Sequence, residues 1–479
     1  MSKTKVFLIS FGIVNLGLRQ ISSYLKQNEI DVDFIYIKPD TISSFDISGF
    51  RQEDIVGVSV VTDHFPFVRK LVGRIRERFG PDSPAIIFGG PHATIMPEQC
   101  LKFCDYAVKG EAEETMLAIC TNFKDIKSIP GICFFDDGQL VKNPPATLVQ
   151  DLDKYPIPDY TDYKDLDDYI ILASRGCPYS CSYCYNNYLK KLYNGTGRYL
   201  RKRGVSSVIA ELLAARDASP KLKTISFYDD TLLARNSKEL LELFSQYKSE
   251  IGLPFFCLAS PAQLSEEKIK ILAWAGLTRM QIGIQTGSED INYKVYKRFF
   301  PNKTIMECTQ LCIKYGISVY FDIIFNNPYE TVEDVGRTLN FVLELPLSRK
   351  QLHLQGFNLI FYPGTEITEN AIRDGYITEK IQENQGSQTT HWVVNSPLFF
   401  NSSLDNPLWD IHFSSKDKEH FNTLIALVPY LPKYTIRFLI KHPFSVRFIS
   451  IILKAFIWLI IKTVLKEDNF VMKFFRKIR

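Results

Sequence analysis

Short apolar segments alternate with helical segments twice along this chain, and this alternation constrains the fold more than any other feature. The first series predicts strands at 4–10, 31–37, 54–61, 85–90 and 106–110. Helices are predicted between them at about 18–27, 66–78, 97–103 and from Glu113 onward. The strands are apolar on both faces, which is typical of a parallel sheet covered on both sides. Residues 1–125 are therefore predicted to form a doubly wound, Rossmann-like α/β domain.

The alternation restarts at Tyr169, after a connector over 126–168 that contains a hairpin with its turn at Asp137-Gly138. Strands are predicted at 169–174, 223–228, 254–259, 279–285, 317–325 and 352–358. Helices are predicted at about 205–216, 236–249, 265–275, 303–315 and 331–344. These six units predict a partial (β/α)6 barrel over 169–375, with functional residues on the loops after the strands. Residues 376–479 lose the alternation and are expected to be a helical C-terminal region.

The charge of the chain is distributed unevenly. Residues 433–479 contain eleven Lys and Arg against two acids, a net charge of +9. The other 432 residues therefore carry −5, because the whole chain carries +4. A basic tail on a mildly acidic body favours a local anionic partner such as a membrane surface, and it gives no reason to expect nucleic acid.

Ten cysteines are spread along the chain, and its start, MSKTKVFLIS, does not resemble a secretory signal. We therefore expect a cytoplasmic protein with reduced thiols, in which clustered cysteines bind metal.

Three cysteines lie close together after the first predicted barrel strand, with the spacing C-x3-C-x2-C: Cys177, Cys181 and Cys184. Thiolates are soft ligands that select zinc, copper(I) or iron–sulfur clusters. A structural zinc site needs four ligands, whereas a four-iron cluster on three thiolates leaves one iron open to a further ligand. The alternatives are a zinc site with a distant fourth ligand, such as Cys133 or Cys257, and ordinary buried thiols.

The motif resembles that of the radical S-adenosylmethionine (SAM) superfamily, and residues 1–375 resemble its cobalamin-binding branch. The resemblance implies a 4Fe–4S cluster on the three cysteines, whose open iron chelates the amino and carboxylate groups of SAM. It also implies reductive cleavage of SAM to a 5′-deoxyadenosyl radical, with electrons from a reductase, flavodoxin or ferredoxin. Tyr183, between the second and third cysteines, is expected to pack near the adenine.

Two further barrel motifs carry the resemblance. Residues 227–233 (FYDDTLL) are similar to an acidic motif after the second barrel strand, although helix capping by an Asp is the alternative. Residues 283–289 (GIQTGSE) resemble a glycine-rich motif near the adenosine, with Gln285 where many relatives have Glu. Residues 327–331 and 362–365 resemble two more loop motifs, with turn formation as the alternative. The residues predicted to bind SAM are Tyr183, Asp229, Asp230, Gly283, Gln285, Gly287 and Glu289.

The N-terminal segments 59–64, 88–94 and 109–115 resemble a cobalamin-binding domain. They follow predicted strands, at the edge where doubly wound sheets bind ligands. The loop after the first strand, FGIVNLG, lacks the axial His of a D-x-H-x-x-G motif. His92 is expected to be a hydrogen-bonding residue of its loop rather than a cobalt ligand, and a domain used for substrate or dimer contacts is the alternative. The predicted cobalamin-binding residues are Thr62, Gly89, Gly90 and His92.

The tail segment 448–465 is mostly apolar but is interrupted by Lys454 and Lys462. On a helix these lysines and Lys466 share one side. That pattern favours a helix lying in the membrane interface, with a core helix as the alternative. We expect peripheral contact with the inner face of a membrane through 433–479.

The resemblance implies a cobalamin-dependent radical SAM enzyme, with methyl transfer to an unactivated carbon as the expected reaction. The apolar tail adds the expectation that the substrate is a lipid-like or polycyclic small molecule. The catalytic residues beyond the cofactor ligands are not predicted. The alternatives are a radical SAM oxidase or cyclase without cobalamin, and a non-catalytic iron–sulfur or cobalamin carrier. A methylthio-transferase acting on RNA is disfavoured because no basic RNA-binding module is present.

Overall fold

The computed structural model describes residues 4–12, 15–159, 167–347, 351–378, 391–393, 416–429 and 431–441. The chain divides into two compact units. The first contains Met1–Ala259, Glu266–Thr278 and Ile360–Thr389, and the second contains Ser260–Ser265, Arg279–Leu359 and Thr390–Arg479.

The N-terminal part of the first unit is built on a seven-stranded sheet. Its strands are β1 (Lys5–Ser10), β2 (Asp31–Tyr36), β3 (Ile55–Ser59), β4 (Ala85–Gly89), β5 (Tyr106–Val108), β6 (Ile132–Asp136) and β7 (Gln139–Lys142). Their order is β2-β1-β3-β4-β5-β6-β7, parallel through β5 and antiparallel beyond it. Its helices are α1 (Leu16–Gln27), α2 (Phe65–Phe79), α3 (Gly90–Ile95), α4 (Pro97–Cys100) and α5 (Glu113–Thr121).

Helices cover both faces of this sheet, as predicted. Successive residues of β1 point to opposite faces, so Val6 joins the core under α1 and α5 while Phe7 joins the core under α2. The predicted strand 85–90 ends one residue early, because Gly90 (φ +87°) already begins α3. The doubly wound fold follows from strands that are apolar on both faces.

The connector after α5 is attached to this domain along much of its length. Its hairpin, β6–β7, extends the sheet beyond β5, with the predicted turn at Asp137-Gly138. Farther along, the Gln20 amide donates to the Pro156 carbonyl at 2.8 Å, and Lys26 pairs with Asp159 at 2.5 Å. The connector is thus bound to both the sheet and α1.

The first unit also contains three parallel barrel strands and a short ladder. The strands are β8 (Asp168–Ile171), β9 (Ser174–Arg175), β10 (Arg201–Lys202), β11 (Thr224–Phe227) and β12 (Phe255–Ala259). Here β11 pairs in parallel with β8 and β12, and β9 pairs antiparallel with β10. The helices are α6 (Tyr185–Leu192), α7 (Val205–Ala218), α8 (Ser237–Gln246), α9 (Glu266–Ala275) and α12 (Glu366–Arg373).

The second unit contains the other three predicted barrel strands. The strands are β13 (Leu277–Gln285, whose first two residues fall in the first unit), β14 (Ser318–Phe325), β15 (Leu352–Asn358) and β16 (His391–Val393). The first three are parallel neighbours, and β16 pairs antiparallel with β15. The helices are α10 (Asn302–Lys314), α11 (Val332–Glu344), α13 (Lys416–Leu427) and α14 (Lys433–Lys441).

All six predicted barrel strands are present within a few residues of their predicted bounds. The short helix α6 and the strand β16 were not predicted, the latter in a region expected to be helical. The apolar tail segment 448–465 lies outside the described residues. Within the part of the chain that the structure describes, no helix combines the length and the hydropathy needed to cross a bilayer.

Candidate active site

The three-cysteine motif occupies the loop between β9 and α6. Gly176, just before Cys177, has φ +89°, and a Cβ there would lie 2.3 Å from the Tyr199 carbonyl oxygen. Only glycine accepts this backbone conformation and this close approach without strain. The ladder of β9 with β10 and this glycine therefore fix where the cysteine loop begins.

The three thiols of the loop are close enough to influence one another's ionisation. Burial raises the pKa of Cys177 to about 12, and the nearby Cys184, Asp230 and Cys181 act in the same direction. Burial likewise raises the pKa of Cys184 to about 11. All three cysteines remain half-buried, so an incoming metal can still reach the sulfur atoms.

The structure bears on the alternative of a zinc site with a distant fourth ligand. It describes all ten cysteines, and none forms a disulfide. Cys133, considered as a distant zinc ligand, lies in the core of the first sheet. Among the described residues, no three Cys, His, Asp or Glu side chains are arranged around one ion. In a 4Fe–4S cluster each thiolate binds its own iron, so wider spacing of the sulfur atoms is expected.

The two adjacent acids after β11 have different surroundings. Asp229 is fully buried and accepts hydrogen bonds from the Ser174 hydroxyl at 2.5 Å and the Ala173 amide at 3.1 Å. Asp230 is accessible to solvent, is hydrogen-bonded by Asn186 and acts on Cys177 and Cys184. Asp229 therefore braces the strand that carries the cysteine loop, whereas Asp230 faces the cysteines.

Asn186 links several groups around the cysteines. It accepts a hydrogen bond from the Tyr199 hydroxyl at 2.6 Å, and its Nδ2 lies 4.0 Å from Cys184 Sγ. Tyr183, on the same loop, is half-buried.

In the second unit, the predicted motif 283–289 divides into two halves. Gly283 and Gln285 lie on one face of β13, and Gln285 has φ +68°, which is strained for a residue with a side chain. Gly287 packs on α11, where a Cβ would lie 2.6 Å from Thr338 Cα. Glu289 accepts a hydrogen bond from the Asn302 amide at 2.6 Å and so caps α10. The second half is therefore used for packing and helix capping, whereas Gln285 in the first half stays a candidate ligand contact.

Arg298 lies against this first half and was missed by the sequence reasoning. It is 7% exposed, and its Nη2 donates to the Gly283 carbonyl at 2.7 Å. Its Nη1 is buried and, within the described residues, has no hydrogen-bond acceptor. No sequence motif pointed to this residue, since it lies in an irregular segment between β13 and α10.

Asp322 on β14 lies near Arg298 but does not pair with it directly. It accepts two hydrogen bonds from the Gln281 amide, at 2.8 and 2.9 Å. Burial raises the pKa of Asp322 to about 7, although Gln281 and Arg298 act in the opposite direction. A carboxyl that is partly protonated near neutral pH leaves the charge of Arg298 incompletely compensated, so an anionic ligand group would be stabilised there.

Residues 327–331 contribute a second buried carboxyl. Glu330 is 6% exposed, and burial raises its pKa to about 7 despite a hydrogen bond with Thr286 and the nearby Lys418. Asp334 also raises the pKa of Glu330. Thr286 in turn forms a hydrogen bond with the Thr338 hydroxyl at 2.9 Å. The loop after β14 is thus tied to the loop after β13.

In the N-terminal domain, the predicted ligand residues do meet at the carboxyl edge of the sheet. A Cβ on Gly89 would point into open space, whereas Gly90 packs on the end of β3. His92 is buried, and its ring contacts Thr62 Oγ1 at 3.2 Å and Gln99 Oε1 at 2.8 Å. Burial lowers the pKa of His92 to about 4, so its ring is neutral. With both ring nitrogens engaged, His92 shapes the loop and leaves none for cobalt.

The loop after β1 has no histidine, but one lies beside it. The His64 ring is 6.4 Å from the rings of both Phe11 and Phe67, measured between centroids. Burial lowers the pKa of His64.

The same edge of the N-terminal sheet contacts α6, which directly follows the cysteine loop. The Tyr188 hydroxyl donates to the Thr94 carbonyl at 3.3 Å, and the Glu111 amide donates to the Tyr193 hydroxyl at 2.5 Å. Gly110 makes room for Tyr193, because a Cβ there would overlap the phenol ring. The ligand edge of the Rossmann-like domain is therefore in direct contact with the element that ends the cysteine loop.

Comparisons with known proteins agree with this geometry. The profile of the B12 binding domain matches residues 9–120, and that of the Radical SAM superfamily matches residues 171–342. The chain belongs to the cobalamin-binding branch of the radical SAM superfamily. It is an enzyme of that family, with a 4Fe–4S cluster, SAM and cobalamin as its cofactors.

Three relatives of this radical SAM enzyme illustrate the likeness. An uncharacterized methyltransferase of Pyrococcus horikoshii is 27% identical over 381 residues, covering 76% of this chain and 79% of the relative. The bacteriochlorophyllide d C-8(2)-methyltransferase of Chlorobaculum tepidum is 24% identical, covering 72% and 75%. The structure of TsrM, a radical SAM methyltransferase from Kitasatospora setae, superposes with a TM-score of 0.64 at 18% identity, covering 78% and 76%.

These findings confirm the predicted family, fold class and cofactors. The individual residues predicted to bind SAM and cobalamin remain predictions.

Proposed function

We propose that this radical SAM enzyme transfers a methyl group from SAM to an unactivated carbon of a hydrophobic small molecule, with cobalamin taking part. The observation that carries the proposal is the direct contact of the predicted cobalamin-binding edge with α6, the helix that follows the cysteine loop, and with Tyr193 just after it. The Tyr188 hydroxyl donates to the Thr94 carbonyl, and the Tyr193 hydroxyl accepts from the Glu111 amide. When bound, the cluster supplies the electron that cleaves SAM, and cobalamin supplies a carrier for the methyl group. This contact supports a reaction in which the two cofactor sites work together.

Within this proposal, the cysteine loop holds the cluster. Cys177, Cys181 and Cys184 bind three irons, and Gly176 lets the chain enter the loop at the required angle. Asn186 lies beside Cys184 Sγ, where an N–H group favours negative charge on the sulfur.

The SAM contacts are assigned by charge and geometry in each unit separately. Asp230 is the acidic group that faces the cysteines and would accept hydrogen bonds from the SAM ammonium. Arg298, whose buried Nη1 has no acceptor among the residues that the structure describes, would bind an anionic group of SAM. Gly283 and the strained Gln285 would lie against the adenosine.

On the cobalamin side, the open space beside Gly89 would admit the nucleotide tail. Thr62 and His92 form a hydrogen bond, which would fix one wall of that space. The absence of a His from the loop after β1 means that this loop supplies no imidazole to cobalt.

The substrate class is proposed from one relative and from the surface of α14. One relative is named as acting on bacteriochlorophyllide d, a large, mostly apolar ring system. In the second unit, α14 exposes Tyr434 (76%) and Phe438 (58%) next to Arg437 and Lys441, while Ile436 is buried on the opposite side. Exposed aromatic side chains beside basic residues are typical of helices that lie in a membrane interface. We therefore include peripheral membrane contact through 433–479 in the proposal.

The catalytic proposal is tested by anaerobic reconstitution with iron, sulfide and hydroxocobalamin, followed by incubation with SAM labelled in its methyl group and candidate tetrapyrroles or lipids. Labelled methylated product is expected, and it should disappear in a triple Cys177→Ala, Cys181→Ala, Cys184→Ala variant but persist in Cys120→Ala. Failure of the intact protein to retain corrinoid would contradict the proposal. Release of 5′-deoxyadenosine without any corrinoid would favour an oxidase or cyclase, and no SAM cleavage by an intact cluster would favour a carrier.

The membrane contact is tested by co-sedimentation with anionic vesicles. A Tyr434→Ser, Phe438→Ser variant is expected to bind less, whereas Trp274→Ser, which removes an exposed aromatic side chain elsewhere, should bind like the parent. Equal binding by all three proteins would refute a role for α14.

A further inference from the structure

Glu111 occupies an unusual position in the first unit. It follows β5 at the ligand edge of the cobalamin-binding sheet, yet its carboxylate is bound by two arginines from the part of the chain that carries the cysteines. Arg175 Nη1 donates to Glu111 Oε2 at 3.1 Å, and Arg201 Nη1 donates to the same oxygen at 3.1 Å. Arg201 Nη2 donates to Glu111 Oε1. Both carboxylate oxygens are therefore engaged.

The two arginines are placed so that they control the start of the cysteine loop. Arg175 is separated from Cys177 only by Gly176, and it pairs across the β9–β10 ladder with Arg201. Its Nη2 also donates to Glu113 Oε1 at 2.6 Å. The backbone that leads into the first cluster ligand is thus held from the cobalamin-binding side by two carboxylates.

The main chain around Glu111 is fixed as well. Its amide donates to the Tyr193 hydroxyl at 2.5 Å, and Gly110 leaves no room for a side chain beside that ring. Tyr193 follows the last residue of α6, the helix that begins after Cys184. Contacts to the 110–111 segment therefore reach the strand that precedes the cysteine loop and the far end of the helix that follows it.

A gain in stability does not by itself account for this network, because burying charged groups costs free energy. Arg201 is 2% exposed at its side chain and Glu113 is 4% exposed, so charged groups have been taken out of water. Replacing such pairs by apolar residues is often neutral or stabilising. What bidentate arginine–carboxylate pairs add is direction, since two parallel hydrogen bonds fix both distance and orientation.

We propose that Glu111 is a positioning residue that sets the register of the cysteine loop against the cobalamin-binding edge, acting through Arg175 and Arg201. This inference rests on the proposed methyl transfer, because only a reaction that uses both cofactors needs their sites in a fixed relation. Without the carboxylate, the enzyme still cleaves SAM, but cleavage is uncoupled from methylation.

The first test needs no cofactor. In the cluster-free full-length protein, hydrogen exchange of residues 175–184 is compared among the parent, Glu111→Gln and Glu114→Gln. Glu114 neighbours Glu111 in sequence but bonds Tyr24 and Lys154 instead, so it is the matched control. We expect faster exchange of this segment in Glu111→Gln alone, with little change in the exchange of β1 and β3.

The second test uses the reconstituted enzyme carrying cluster and corrinoid. The relaxation rate of the cob(II)alamin electron spin depends steeply on its distance from a paramagnetic cluster, so it is expected to change in Glu111→Gln. A misplacement of roughly 1 Å can cost about a hundredfold in rate, and we expect a fall of about that size in methylated product per 5′-deoxyadenosine. If Glu111→Gln does not fold, Arg175→Lys takes its place, since it keeps the charge and loses the planar fork.

The outcomes separate the two proposals. If the parent binds no corrinoid or makes no methylated product, the proposed function has failed. If the parent does both, while Glu111→Gln shows the same loop exchange, spin relaxation and product ratio as the parent, the positioning role is refuted. A general loss of folding in both Glu111→Gln and Arg175→Lys would also refute it, because the residues would then be structural.

Discussion

Replacing Glu330 by Gln should stabilise this enzyme at alkaline pH and leave it nearly unchanged in acid. Glu330 is buried between Thr286, Asp334 and Lys418, and burial raises its pKa to about 7 from an ordinary value of 4.5. Its folded-state pKa is therefore above its unfolded-state pKa. The stability linked to this proton is fully present below pH 4.5 and is lost as the pH rises to about 7.

The size of the effect follows from the same two values. One pKa unit corresponds to about 1.4 kcal/mol, so the shift amounts to about 3 kcal/mol lost by the parent protein at pH 8. Glutamine has nearly the same shape, can keep the hydrogen bond with Thr286 and does not ionise. At roughly 2–4 °C per kcal/mol for a domain of 150–250 residues, its Tm should be several degrees higher at pH 8.

The assay is a series of thermal melts of the anaerobic protein from pH 4.5 to 8, together with infrared difference spectra of parent minus Glu330→Gln. The protonated carboxyl band of Glu330 should titrate with a midpoint near pH 7. Glu333→Gln is the control, because Glu333 lies three residues farther along, on α11, and is largely exposed. A midpoint below about pH 5, or a Tm difference that does not grow with pH, would refute the reasoning.

Three further substitutions are predicted to act in distinct ways. Gly176→Ala should abolish iron incorporation, measured as iron per chain, because a Cβ would meet a backbone carbonyl oxygen at 2.3 Å in a left-handed conformation. Arg298→Met should weaken SAM binding about 10–100-fold, which corresponds to the free energy of one charged hydrogen bond. Equilibrium dialysis measures the change, and the exposed control Lys294→Met should leave SAM binding unchanged. Asp229→Asn should lower the Tm, because one buried donor loses its acceptor. Asp230→Asn should instead keep the Tm and weaken SAM binding. The reverse pattern would contradict the assignment of the two acids.

The strands of this protein were predictable because their signal is local. A run such as VGVSVV is apolar on both faces wherever it occurs, and the alternation with helices then fixes the fold class. Helix α6 escaped prediction because it is short and follows a loop whose composition is dominated by the cysteine motif.

The site was predictable only where spacing carries the chemistry. The cysteines are three ligands in eight residues, so the sequence alone brings them together. Arg298 lies 15 residues beyond Gly283, and only the structure shows its guanidinium at that carbonyl. Asp229 and Asp230 look alike in sequence, and only the structure shows that Asp229 accepts the hydrogen bond from the Ser174 hydroxyl.

The way the connector is bound has a practical consequence for dissecting the protein. Strand β5 is only three residues long and is held between β4 and the hairpin, while the Lys109 amide donates to the Gly131 carbonyl at 2.8 Å. Residues 156–159 in turn occupy donors of α1. A fragment cut at residue 125 would therefore leave β5 as an unpaired sheet edge and remove the acceptor of the Lys109 amide. A fragment ending after Asp159 would keep the hairpin, this hydrogen bond and the contacts to α1, although Gly110 and Glu111 would lose Tyr193, Arg175 and Arg201.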